Sequence, residues 1–276
     1  VIVTRLPSVP STSAAGLRRS ALRFFSIVPP GRPVTIAVTA TIPSATPSKR
    51  MVDSPGGSVT VVMDWTARPS TLPRRQGRRG RHWDFAQWYP RIAVYDETGW
   101  AVQPLLPQGE FYGEFGEYDV VLDVAADQVL GATGVPVQGD PGWRRAAAVP
   151  GTEPNLRRAV YPPRAAERLG LLDAQPASGR RHVRWRARDV HHFAWSTSPD
   201  YIYEGGAREQ VAVHVLYQPG DTAWDDGVVM NRTVDALRWF EDIFGEYPWP
   251  QITNVHRIES GGTEFPMMVM NGSPSQ

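Results

Sequence analysis

Tyr118-Asp119-Val120-Val121-Leu122-Asp123-Val124 sets large apolar residues at every second position, with two aspartates between them. Tyr118, Val120, Leu122 and Val124 therefore fall on one face of an extended chain, the period-two signature of a strand with one buried side. The same alternation recurs on either side of this stretch. Val34, Ile36, Val38, Ala40 and Ile42 form one such face, and Val59, Val61, Met63 and Trp65 form another after the turn signal Pro55-Gly56-Gly57. Ile92 to Tyr95 and Val183, Trp185 and Ala187 supply further short strands. With 25 glycines and 26 prolines among 276 residues, turns are too dense for a helical bundle or coiled coil. The fold class is mainly β, a sandwich or an open sheet.

Composition narrows the function before any motif does. A 41% hydrophobic content supports a packed core and excludes global disorder. Lys and Arg total 29 against 28 for Asp and Glu, so no net field holds a nucleic acid or an anionic membrane, and neither is expected as a partner. The absence of cysteine excludes a disulfide scaffold, a thiol nucleophile and a thiolate metal site. No apolar run approaches the roughly 18 residues of a membrane span. The sequence opens on Val1 and stops at Gln276 just after an apolar run, so both ends look cut.

The character changes near residue 205. The strand pattern Val211, Val213, Val215 and Tyr217 precedes the best helix in the chain, with Asp225 or Asp226 as N-cap and Gly245 and Pro248 at its end. Met230, Val234, Leu237, Phe240 and Phe244 recur at steps of three and four, which predicts one buried stripe, with Asp235, Arg238, Glu241 and Asp242 on the wet face. A strand from Ile252 to Ile258 and the segment Gly261 to Met270 complete a β-α-β arrangement. Residues 136 to 181, rich in arginine, proline and alanine, form an excursion between strands.

Three polar clusters have plain structural readings. Arg74, Arg75, Arg78, Arg79 and Arg81 crowd a glycine-interrupted stretch without an aromatic stacking platform, so a solvated loop outweighs phosphate binding. Arg184, Arg186 and Arg188 alternate along one strand and predict an exposed edge face. His191 and His192 are adjacent, which on a strand sends them to opposite faces rather than to one metal ion. No His-Glu-x-x-His occurs. The aromatic run His82 to Tyr89 and the stretch Glu110 to Tyr118, with paired carboxylates Glu110 and Glu114, admit a sugar groove but fit core packing better.

Gly261-Gly262-Thr263-Glu264-Phe265-Pro266 is the most informative stretch for function. Two glycines permit close approach to bare backbone, and an extended Thr-Glu-Phe before a proline leaves an edge with free amide and carbonyl groups for a peptide. Glu264 beside that edge supplies a carboxylate suited to an ammonium group.

Several motifs together resemble one family. Gln87-Trp88-Tyr89-Pro90-Arg91-Ile92-Ala93-Val94-Tyr95-Asp96, Gly109-Glu110-Phe111-Tyr112, Tyr118-Asp119-Val120, Gly131-Ala132-Thr133-Gly134 and Phe193-Ala194-Trp195-Ser196-Thr197-Ser198-Pro199 resemble, in order, the N-terminal β domain of M1-family zinc metallopeptidases. Phe244-Gly245-Glu246-Tyr247-Pro248 and Gly261 to Pro266 resemble the opening of the thermolysin-like catalytic domain of that family. The resemblance implies a saddle-like β domain over residues 1–205 and the incomplete start of an α/β catalytic domain over 206–276. In the family's Gly-x-Met-Glu-Asn type motif the glutamate binds the substrate's free amino terminus and the glycine backbone holds the peptide. It implies those roles for Glu264, Gly261 and Gly262 and a place in the substrate site for Thr263, although Thr263 stands where methionine is usual and Phe265 where asparagine or tyrosine is usual. Gln87 stands where the family's N-terminal domain often contributes a glutamine to the same site.

The resemblance thus implies a parent zinc aminopeptidase with a peptide substrate. Within this chain it places no catalytic residue and no metal ligand, so the chain by itself is expected to bind no zinc and to be inactive. The reading from another class is a non-catalytic β-sandwich module that binds peptide or glycan. On either reading residues 206–276 are too few to build a core alone, while the preceding part is expected to hold by itself.

Overall fold

The structure is a computed structural model and describes residues 34–41, 58–65, 69–96, 98–102, 112–148 and 179–273. Glu110, Phe111 and most of the 136–181 excursion lie outside the described residues, as do the side-chain faces of the first two strands. The alternating stretch is β7 (Gly116–Ala125), with Tyr118, Val120, Leu122 and Val124 all buried. It pairs antiparallel with β10 (Arg180–Val190), which lies between β7 and β9 (Val135–Gln138) in a three-stranded sheet. A four-stranded sheet runs in the order β3 (Gly77–Arg79), β4 (His82–Phe85), β11 (Trp195–Ser198) and β8 (Val129–Ala132). Two antiparallel pairs, β1 (Val34–Thr41) with β2 (Ser58–Trp65) and β5 (Val94–Asp96) with β6 (Gly99–Ala101), accompany them. The architecture is mainly β, in open sheets.

The last sheet has five strands in the order β12 (Ile202–Arg208), β13 (Val211–Tyr217), β14 (Gln251–His256), β16 (Met268–Asn271) and β15 (Gly262–Phe265). β13 and β14 are parallel, and α2 (Val228–Phe244), which follows the single-turn helix α1 (Trp143–Ala146) in chain order, crosses between them, the expected β-α-β unit. Val211, Val213, Val215 and Tyr217 pack with Val229, Leu237 and Trp224 on the helix side. The other face of the sheet shares one core with the preceding sheets: Leu216, Val255, Met268 and Met270 join Phe85, Val129, Leu130, Val183 and Trp185. Residue 205 falls inside β12, so the five-stranded sheet already begins at Ile202.

Polar bonds fasten the same junction. Asp84, buried on β4, accepts the Ser196 hydroxyl at 2.7 Å and the Ile258 N–H at 2.8 Å, which satisfies a carboxylate that would otherwise be costly to bury. The Gln251 amide donates to the carbonyl of Gly134 at 2.7 Å.

Five sequence expectations change. Phe240 and Phe244 do not join the buried stripe: they are 59% and 80% exposed, and Trp239 and Ile243 beside them are 63% and 64% exposed. Val229, Thr233 and Leu237 are the buried positions, because that face is the one turned to the valines of β13. Glu241 leaves the wet face and pairs with Arg208 at 3.0 Å. The helix N-cap is Gly227, in the left-handed region at φ 77°, and neither aspartate caps. Arg184 and Arg186 are not on an edge: β10 is the central strand, and both guanidinium groups meet Asp119 of β7, at 2.6 and 3.1 Å. The expected solvated arginine loop contains the short strand β3, and Arg81 forms a two-pronged pair with Asp127 at 2.7 Å in each arm.

Candidate functional site

β15 is the edge strand of the five-stranded sheet, paired on its inner side with β16 through Thr263 opposite Met270 and Glu264 opposite Val269. Its outer side faces no strand among the described residues. The hairpin turns at Pro266-Met267, where proline sets the first φ and Met267 takes the left-handed region at φ 66°. A methionine there is strained, and its surroundings hold it: the side chain is fully buried in the shared core, and its carbonyl accepts the Thr253 N–H at 2.9 Å. At the other end, Gly261 has φ 80° and its carbonyl accepts the Gly272 N–H at 2.7 Å. A Cβ on Gly262 would sit 2.7 Å from the Asn271 side-chain oxygen, so a larger residue there would have to displace that side chain.

Alternation along β15 sorts the sequence-predicted residues. Gly262 and Glu264 are exposed, whereas Thr263 and Phe265 are buried toward the shared core. Glu264 makes no ion pair among the described residues, so its carboxylate is available to a ligand. Gly261 also borders a groove of about 740 Å³ between α2 and the sheet, lined by Leu237, Phe240, Phe244, Tyr247, Asn254 and Asn271 among others. Asn271 donates to Asn254 at 3.2 Å, and Asn254 donates to Thr233 at 3.3 Å, a polar line from Gly262 to the helix that the sequence did not single out.

Gln87 is not on this face. It is half-buried, has φ 52°, and its backbone N–H donates to Nε2 of His192 at 2.7 Å. The His192 ring in turn lies 5.0 Å from that of Phe265. The structure therefore links Gln87 to β15 only through His192 and Phe265, whose side chain is on the face of the strand opposite to that of Glu264. His192 was singled out in the sequence only to be set aside as a metal ligand. Its partners act on it from two other segments, Gln87 from 105 residues earlier and Phe265 from β15 later in the chain, which no local pattern displays.

Among the described residues no group of three or more histidine, aspartate or glutamate side chains converges on a point that would hold a metal ion. The described residues thus do not fit the zinc that the sequence resemblance implies for a parent enzyme, and no chemical step is assigned through it. What the arrangement offers is recognition: an open strand edge for backbone pairing, bare glycine backbone at its start, and one exposed carboxylate.

No protein-family model matches the chain, and no curated protein matches it. Solved structures similar to it include an M1 zinc metallopeptidase variant from Deinococcus radiodurans, at 14% identity and a TM-score of 0.47, covering 81% of this chain and 44% of that one. The same type of variant bound to a Tyr-Ser-Ala substrate, also from Deinococcus radiodurans, is similar at 15% identity and a TM-score of 0.49, with coverage of 81% and 44%. A two-domain M1 zinc metallopeptidase variant bound to L-arginine is similar at 14% identity and a TM-score of 0.48, with coverage of 80% and 44%. The chain spans less than half the length of these structures.

Proposed function

We propose that this chain carries the amine-recognition side of the cleft of a zinc-dependent aminopeptidase, with residues 1–205 as its N-terminal β domain and residues 206–276 as the start of its catalytic domain. A peptide lies along the open edge of β15, its backbone paired with that strand, and its free α-ammonium meets the Glu264 carboxylate. Gly261 and Gly262 let the peptide approach the backbone closely. The observation that carries this reading is the exposed Glu264, without an ion pair among the described residues, on an edge strand that begins at Gly262 directly after Gly261. The ordered run of sequence motifs supports it, and so does the outward apolar face of α2, which suits a larger catalytic domain. Zinc and the bond-breaking chemistry belong to the parent enzyme and not to the described residues.

Calorimetric titration with a tripeptide that has a free amino terminus tests the assignment. A hydrogen bond to a charged group contributes roughly 1.5 to 3 kcal/mol, so Glu264→Gln should weaken binding by about ten- to a hundredfold. Equal affinity for the wild type and the variant would overturn the role given to Glu264.

A further inference from the structure

A group of side chains distinct from Glu264 joins the loop of Gln87 to β15. His192 is 2% exposed and lies between them. Its ring stacks on Tyr89, with centroids 5.4 Å apart and planes 20° apart, and leans on Phe265 at 5.0 Å. Nε2 receives the Gln87 N–H at 2.7 Å, and Nδ1 lies 3.3 Å from the Tyr89 hydroxyl. The Tyr89 hydroxyl donates to that of Tyr118 at 3.0 Å and accepts the Phe193 N–H at 3.4 Å.

These contacts fix the ring's proton. A backbone N–H can only donate, so Nε2 must present its lone pair. The Tyr89 proton is directed to Tyr118, so its oxygen accepts from Nδ1–H. One neutral tautomer satisfies every partner, and a charged ring would set Nε2–H against the Gln87 N–H. Gln87, a non-glycine residue in the left-handed region, is held there by this bond.

We propose that His192, neutral and protonated at Nδ1, is a positioning residue that clamps the Gln87 loop against Phe265 and thereby sets where that loop stands relative to the strand bearing Glu264. Its use in substrate recognition rests on the amine-recognition reading above, whereas the clamp itself does not. The groups around the ring favour neutrality. Burial, the Arg91 guanidinium and His191 hold His192 well below the usual histidine range. The remaining titratable neighbours are Tyr89 from the Gln87 loop and Tyr118 from β7, while Glu264 of β15 faces the other way.

Nitrogen-15 NMR of the histidine rings tests the tautomer on the unaltered protein. The expected result is an Nδ1–H, Nε2-bare ring that does not titrate between about pH 8 and 5.5. A ring protonated at Nε2, or one that titrates near the ordinary value, would overturn the clamp. Amide exchange supplies the second reading. His192→Phe removes the acceptor and should raise Gln87 exchange about tenfold and shift the Thr263 to Phe265 amides, with Val213 in the β13 core unchanged. His192→Gln, whose side-chain carbonyl can accept, should restore the Gln87 protection; unchanged Gln87 exchange in His192→Phe also overturns the proposal. If His192→Phe does not fold, the wild-type tautomer decides alone. A free-amine tripeptide should bind His192→Phe about fivefold more weakly than wild type. No binding to wild type, with the tautomer and exchange as expected, would sink the recognition reading and leave the clamp standing.

Discussion

His214 shows how a single buried side chain sets the chain's response to acid. It is fully buried on β13, its Nδ1 lies 2.9 Å from the Tyr203 hydroxyl, its Nε2 has no partner among the described residues, and Trp143 stacks on it at 4.3 Å. Burial pushes its pKa from 6.5 down to about 3. The folded protein thus keeps it neutral while the unfolded chain takes up a proton near 6.5. Its stabilising contribution is complete above that value and drains away as the pH falls toward 3, a loss of about 2 kcal/mol by pH 5. His192, lowered for the same leading reason, adds in the same direction. Denaturant unfolding at neutral pH and at pH 5 should show a loss about 2 kcal/mol smaller in the Tyr203→Phe/His214→Phe variant than in wild type; equal losses would refute the assignment. Residue-scale chemistry was legible where it is local. Gly261, Gly262 and Glu264 could be placed on an exposed edge from their order alone, since strand alternation and a following proline are short-range rules. His192 could not, because its role is made by Gln87 and Phe265, which only the tertiary fold brings to it.

At the scale of the element, α2 separates periodicity from packing. A step of three and four residues identifies faces of a helix, yet it does not say which face meets the sheet. Val229, Thr233 and Leu237 do, while Phe240 and Phe244 lie with ring centroids 6.1 Å apart, tilted to each other, and stay exposed. Leu237→Ala should therefore destabilise the chain by about 2 to 4 kcal/mol, and Phe240→Ala by less than about 1 kcal/mol. Urea unfolding of the two variants decides, and similar costs would return Phe240 to the core. β10 shows the same limit from the polar side. Alternating arginines in sequence suit a wet face, but whether that face is an edge depends on Asp119, Glu117 and Asp123 of the neighbouring strand. Arg184 and Arg186 share Asp119, and Arg180 meets Asp123 at 2.5 Å.

Across the whole molecule, one buried cluster holds residues from both sides of residue 205. Sequence reasoning held that residues 206–276 cannot form a core alone and that the preceding part can. In the structure the inner face of the last sheet is completed by Val129, Leu130 and Trp185, and those residues are covered by Leu216, Val255 and Met270 in turn. Gly131 on β8 marks the closest approach: a Cβ there would lie 2.8 Å from Val255 and 3.2 Å from Leu216 and Thr253. Gly131→Ala should cost about 1 to 3 kcal/mol by overpacking this junction. Wild type should also unfold in a single transition by near- and far-ultraviolet circular dichroism, and two separate transitions would show that the shared core does not couple the parts. Nothing in the sequence displays this contact, since it joins strands more than eighty residues apart.

The amine-recognition account is tested most directly by NMR titration of the nitrogen-15-labelled chain with one tripeptide in two forms, its amino terminus free or acetylated. The account predicts that the free form shifts the amides of Gly261 to Phe265 and binds at least about tenfold more tightly than the acetylated form. Equal binding of the two forms, or shifts that fall away from β15, would contradict it.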